Sequence, residues 1–346
     1  VSAPGMTTGS GSGIHLDATL KSNTGTVTLT AEDDLLLGSV ALIDSTSGTV
    51  TLTADNAAGS NGNPITMTDG SLIDAGTGTI NLTADGDVLL AGLLTTGTVN
   101  IDSLSAAISD NGDSHTDIVA SSAVLNAVTG IGDGNPLETE ISTLSATVSG
   151  VGNLLIDNGI AVELLDLSTF DGAITVNNTA SLTATSVVSQ NNSNSDDNDI
   201  TLNATGTNSD ILVTTITATG LADVMLTADD GILDTNGADS NRITADDLNM
   251  SSSSAGGTQD GIDVDTDVNS VTADVNTNAG GIRIDEVDGI TLTQLTTFDG
   301  FIIVNAAGTI EVLDVTSTNN SSSDLNNGIT LTATGVDSDI LVTSLT

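Results

Sequence analysis

Three carboxylates stand on alternate residues in Asp263-Val-Asp265-Thr-Asp267. In a strand they share one face. In a loop they can wrap a calcium ion, which takes about six to eight oxygens. An EF-hand loop counted from Asp263 needs Gly at its sixth position and Glu at its twelfth; this chain has Val268 and Asp274 there. The glycine-rich nonapeptide of calcium-binding β-rolls is also missing. A matching stretch, Leu137-Glu-Thr-Glu140, carries fewer carboxylates. The plainer reading is a solvated acidic face; the functional one is a calcium site of Asp263, Asp265 and Asp267, with calcium as the one cofactor the chain points to. Ser195-Asp-Asp-Asn-Asp199 is a second acidic stretch and reads first as a loop.

Other chemistry finds few residues to work with. A polysaccharide lyase needs Arg or Lys to take a proton and steady an acidic sugar, and only Lys21, Arg242 and Arg283 exist, far apart in sequence. A glycosidase needs a carboxylate pair in a groove. Asp246-Asp247 is such a pair on paper, but no Trp or Tyr accompanies it. His15 and His115 lack a Ser or Cys partner motif and read as surface turn residues. The expectation is that the segment is not an enzyme. Thr26, Thr28, Thr30 and Thr49, Thr51, Thr53 set out hydroxyl rows like those of ice-binding solenoids. Asn81, Gln294 and Glu311 interrupt them, and Thr is the ordinary residue of an exposed strand position. Sequons at Asn177, Asn203 and Asn249 are what a chain rich in Asn, Ser and Thr produces by chance.

With 46 acidic and 3 basic residues the net charge is −43. That repels phosphate, so nucleic acid and anionic membrane are excluded as partners. Cysteine is absent, which removes disulfides and thiol chemistry. No run of about 18 apolar residues supports a helical membrane span, so no direct membrane insertion is expected. Val1-Ser-Ala-Pro-Gly5 does not read as a signal peptide. Mean hydropathy of +0.19 argues for a folded chain, and 1% aromatics argues for a narrow aliphatic core.

What must position these residues is a repeat. Ile200 to Thr217 returns as Ile329 to Thr346, with thirteen of eighteen positions identical. Thr169-Phe-Asp-Gly172 returns as Thr297-Phe-Asp-Gly300, and Ile108-Ser-Asp-Asn-Gly112 matches Ile232-Leu-Asp-Thr-Asn-Gly237. A superrepeat of about 128 residues therefore runs nearly twice. One continuous segment is expected over 1–346, with irregular coils over 1–100, a first superrepeat copy over 101–225 and a second over 226–346. A shorter period of 18 to 20 residues links Leu144, Val162, Leu182 and Ile200, and again Val271, Ile290, Ile310 and Ile329. Gly25-Thr-Val-Thr-Leu-Thr-Ala31 recurs at Gly48 and Gly78, with inserted loops between. Alternation such as Ile290-Thr-Leu292-Thr is strand alternation. A unit of this size buries its apolar face only by stacking on its like. The predicted fold is all-β: a parallel β-helix, or β-solenoid, with coils of about 19–20 residues and inserted loops. It is expected to be right-handed, with roughly 16 to 18 coils over about 80 Å at the ordinary strand spacing. The repeated Phe170 and Phe298 are expected to be stacking or capping aromatics in the core.

The unit from Gly25 to Gly38, echoed from Gly78 to Gly92, resembles the repeat of filamentous haemagglutinins, large bacterial surface adhesins with a right-handed β-helical shaft. The pattern covers most of the chain. The amino-terminal secretion domain's motifs are not present, and the superrepeat is more regular than in that family. It is also similar to tandem arrays of giant surface proteins of environmental bacteria. The resemblance implies an extracellular, cell-surface structural shaft or fibre; it transfers no catalytic residue. The alternative it leaves open is an adhesive module. There the polar loops Gln190 to Asn198 and Ser317 to Asn327 would meet a glycan, a receptor or a neighbouring fibre. Self-association is the partner expected of the shaft. Because Thr346 matches Thr217, after which the first copy runs on, further repeats beyond Thr346 are expected.

Overall fold

The computed structural model describes residues 13–55, 62–110, 112, 115–192, 198–235, 242–253, 260–319 and 327–346. They form an all-β structure without helices, a parallel β-solenoid of about twelve turns. Two compact units are distinguished, Val1–Ile160 with Asp166–Thr175, and Ala161–Leu165 with Val176–Thr346.

In the first unit the opening coils lay down three short strands each, one for each of three faces. Ile14–Leu16, Thr19–Ser22 and Val27–Ala31 make one coil; Leu35–Leu37, Leu42–Ser45 and Val50–Ala54 make the next. Their ladders are parallel and put like residues in register. Val27 lies beside Val50, Val50 beside Ile80, and Ile80 beside Val99. Leu29, Leu52, Leu82 and Ile101 form the neighbouring column. All eight side chains are buried. The alternate residues Thr28, Thr51 and Asn81 face outward in their own register. Stacking explains why so short a unit suffices: each apolar side chain is covered by its counterparts above and below, and the core never widens enough to need aromatics.

The second unit repeats the plan. Leu182, Ile211 and Ile232 stack on one another, and Ile262, Ile282, Ile302 and Ile329 continue the column. As already in Ile118–Ala127 and Leu137–Val151 of the first unit, corners straighten and strands merge. Ile243–Ser252 runs through two faces, and Asp260–Ala279 forms one strand of 20 residues.

The registers revise three expectations. The step from coil to coil is 20 residues from Val162 to Leu182 and from Ile290 to Ile310. It grows to 30 from Leu35 to Ile65 and from Ile310 to Ile340. Fewer coils therefore form than a uniform period of 19 implies. Ile310 and Ile329 are not successive members of one column: Ile329 lies on Ile302, and Ile340 lies on Ile310. Likewise Leu182 is followed by Ile211, whereas Ile200 pairs with Val224. The apparent period had stepped from one face to another. The phenylalanines also stand outside the core. Thr169 and Thr297 are the inward residues, their hydroxyls donating to the carbonyls of Gly172 and Gly300 at 2.5 and 2.8 Å. Alternation then turns Phe170 outward, where it is 47% exposed. Phe301 lies under the Arg283 guanidinium, 5.6 Å from ring centre.

Candidate functional site

The strand Asp260–Ala279 sets Asp263, Asp265 and Asp267 on one outward face, between the inward Ile262, Val264 and Thr266. Alternate strand residues stand about 6.7 Å apart, too far for three short carboxylates to close round one ion. Two of them meet cations instead. Asp263 lies opposite Arg283 in register, with Nε 3.6 Å from Oδ1. Asp267 Oδ2 is 3.7 Å from an Arg242 guanidinium nitrogen. Asp265 lies opposite Asp285. A groove of about 420 Å³ is lined here by Arg242, Asp265, Asp285, Glu286, Asn305 and Thr334 among others.

Glu286 is the buried anion of this region, and sequence reading passed over it. It ends the strand Gly281–Glu286, where an inward position meets a corner. Oε2 accepts from the Thr266 hydroxyl at 2.8 Å and from the Val268 amide at 3.2 Å; Oε1 accepts from the Asp288 amide at 3.2 Å. Burial pushes its pKa up, against those three hydrogen bonds, and the Asp288 charge adds to the rise. The same job is done in the other superrepeat copy by Asn158. Its Oδ1 accepts from the Thr139 hydroxyl and the Ile141 amide, each at 2.9 Å. An inward polar residue at a strand end, followed at once by a turn, is the signal that marks both.

A second carboxylate cluster lies in the first unit. Asp110 ends the strand Ile108–Asp110, Asp117 precedes Ile118–Ala127, and Glu138 lies near the start of Leu137–Val151. One oxygen from each lies within 4.8 Å of the other two. Asp110 and Asp117 are 8% and 1% exposed. The parallel ladder fixes their approach: the Asp117 amide donates to the Glu138 carbonyl at 2.8 Å, and the Glu138 amide donates to Asp117 Oδ2 at 3.1 Å. Asp110 Oδ2 accepts from the Gly112 amide at 2.8 Å and from the Asn135 side-chain amide. A similar set of Asp267, Glu286 and Asp288 exists in the second unit, with Asp288 exposed.

The remaining sequence candidates separate. His15 Nε2 is 3.0 Å from Asp17 Oδ2, both exposed. His115 and Asp69 line a recess of about 270 Å³ with Ser71, but the two side chains are 3.9 Å apart. Ser71 Oγ is buried and makes no hydrogen bond, whereas an activated nucleophile needs its base at about 2.6–3.2 Å. Asp246 accepts from the Asn269 side chain and Asp247 from the Ser270 hydroxyl, so the pair serves two different partners. In Ser195 to Asp199, residues 195–197 lie outside the described residues; Asp199 accepts from the Asp223 amide at 2.9 Å. The recurrent polar loops fall largely outside the described residues, at 193–197 and 320–326.

No family model matches the chain, and no curated protein or solved structure matches it.

Proposed function

We propose that the chain is shaft material of an extracellular, repetitive bacterial surface protein of the filamentous-haemagglutinin kind. It works by rigid extension and by association with further coils or neighbouring fibres. One observation carries this reading: the columns of like residues, such as Val27, Val50, Ile80 and Val99, in which each coil is the template for the next. A fold built that way makes length rather than an enclosed pocket. The outward faces of Thr, Asn and Asp suit a hydrated fibre, and the charge of −43 keeps it off nucleic acid and anionic lipid. Immunogold labelling of the producing cells tests it. Label standing off the cell surface, at a distance that grows with the number of superrepeats, is expected; label confined to the cell interior overturns it.

The groove beside Arg242 favours a second reading, an adhesive module. Arg242, Asp265, Asp285, Asn305 and Thr334 offer donors and acceptors together to a hydroxyl-rich ligand. A glycan array probed with the wild type and with Arg242→Ala decides it. Binding that the substitution abolishes supports the module; an array on which the wild type binds nothing removes it.

A further inference from the structure

The two superrepeat copies can be aligned by their ladders, and the alignment bears on the buried carboxylates. In the first copy Ile118 lies in register with Thr139; in the second Ile243 lies in register with Thr266. Thr139 donates to Asn158, and Thr266 to Glu286. Asp117 and Arg242 are thus equivalent, each preceding the strand's first isoleucine. Glu138 and Asp265 are equivalent, each preceding the threonine, and Asp110 corresponds to Asp234 at the end of the preceding strand. One copy sets Asp234, Arg242 and Asp265 in these three places. The other sets Asp110, Asp117 and Glu138 there, with three formal negative charges and the cationic side chain replaced by a carboxylate.

Charges taken out of water need compensation. The chain's three basic side chains hold their ion pairs elsewhere, Lys21 with Asp44, Arg242 with Asp267 and Arg283 with Asp263. Asp110 supplies an independent sign that something further is accommodated. Its side chain is more than nine-tenths buried, yet Oδ1 makes no hydrogen bond while Oδ2 makes two. A buried carboxylate oxygen with no donor is costly, and a cation supplies what a donor would. The spacing fits one ion. Oxygens bound at about 2.4 Å to a common calcium stand no more than about 4.8 Å apart, the span within which the three carboxylates fall. Magnesium at about 2.1 Å would draw them closer.

We propose that Asp110, Asp117 and Glu138 hold a calcium ion, in the place where the second copy carries the Arg242 side chain. The ion ties together two successive coils, and it does so whatever the shaft or adhesive role of the chain.

The test is equilibrium dialysis of the full chain against calcium in excess sodium chloride, comparing the wild type with Asp117→Arg, which copies the second superrepeat. The wild type should hold one tightly bound calcium that Asp117→Arg lacks. Calcium should raise the melting temperature of the wild type above that in sodium chloride of matched ionic strength, and should not raise that of the variant. Equal binding by the two chains overturns the proposal, as does a calcium shift that persists in the variant. Magnesium displacing calcium at equal concentration overturns the choice of ion. If Asp117→Arg fails to give a β-sheet circular dichroism spectrum, Asp110→Asn replaces it. It retains an acceptor for the Gly112 amide and should lose the tight calcium; undiminished affinity there also refutes the site.

Discussion

Glu286 shows what a single inward polar residue costs and does. Its three acceptor bonds fix the corner after Gly281–Glu286, while burial disfavours its charge. The pKa is raised in the folded chain, so between the ordinary glutamate value and that raised value the folded state holds more protons than the unfolded one. Stability therefore falls as pH rises through that window. Glu286→Gln should remove this component: the difference in melting temperature, variant minus wild type, should grow as pH rises from the ordinary glutamate value, and a flat difference would refute the assignment. Ile310 and Glu311 test the neighbouring rule of alternation. Ile310 is fully buried between Ile290 and Ile340, and Glu311 is exposed. Ile310→Asp should cost several kcal/mol by burying a charge, whereas Glu311→Thr should stay within about 0.5 kcal/mol. Equal shifts in the two melts would show that the inward phase is misassigned.

At the scale of the coil, corners are set by glycine. Gly25, Gly48, Gly78 and Gly97 open the third-face strands of four successive coils. A Cβ on Gly48 would stand 2.1 Å from the Gly25 carbonyl oxygen, and one on Gly78 would stand 2.3 Å from that of Gly48. Backbone cannot retreat as a side chain can, so Gly78→Ala should destabilise by about 1–3 kcal/mol. Chemical denaturation measures it, and an unchanged midpoint would show that the corner can open. These glycines, the alternation and the steps of 23 and 30 from Val27 to Val50 to Ile80 were all readable from the sequence. The assignment of strands to faces was not. Ile310-Glu-Val and Ile329-Thr-Leu carry the same alternation on different faces, and only the ladder separates them. The carboxylate cluster was hidden for a related reason. Asp110, Asp117 and Glu138 lie on three different strands or their approaches, and register alone brings them together, while the more conspicuous Asp263, Asp265 and Asp267 are spread along one strand.

For the whole molecule, parallel stacking turns one acidic residue into a column. Asp44 lies opposite Asp74, and Asp265 opposite Asp285. Neighbouring strands are about 4.8 Å apart, well inside the screening length of about 10 Å in 0.1 M salt. The chain offsets this in two ways. Lys21 and Arg283 are placed in register with Asp44 and Asp263. Elsewhere amides stand beside carboxylates, as where Asn126 donates to Asp102 and Asn305 to Asp285, both at 2.7 Å. With 46 acidic residues against 3 basic ones most of the repulsion remains, so melting temperature should climb steadily with sodium chloride. Asp74→Asn isolates one rung of it. Asparagine keeps an acceptor for the Gly76 amide, which Asp74 Oδ1 binds at 2.9 Å, and it deletes the charge facing Asp44. The variant should gain about 0.2–1 kcal/mol, the scale of a directly opposed pair, in about 0.01 M salt, and the gain should vanish near about 1 M, where screening reaches only about 3 Å. Denaturant midpoints at the two salt concentrations measure both terms. A gain that survives high salt would mean that Asp74 is strained by its turn rather than repelled by its neighbour.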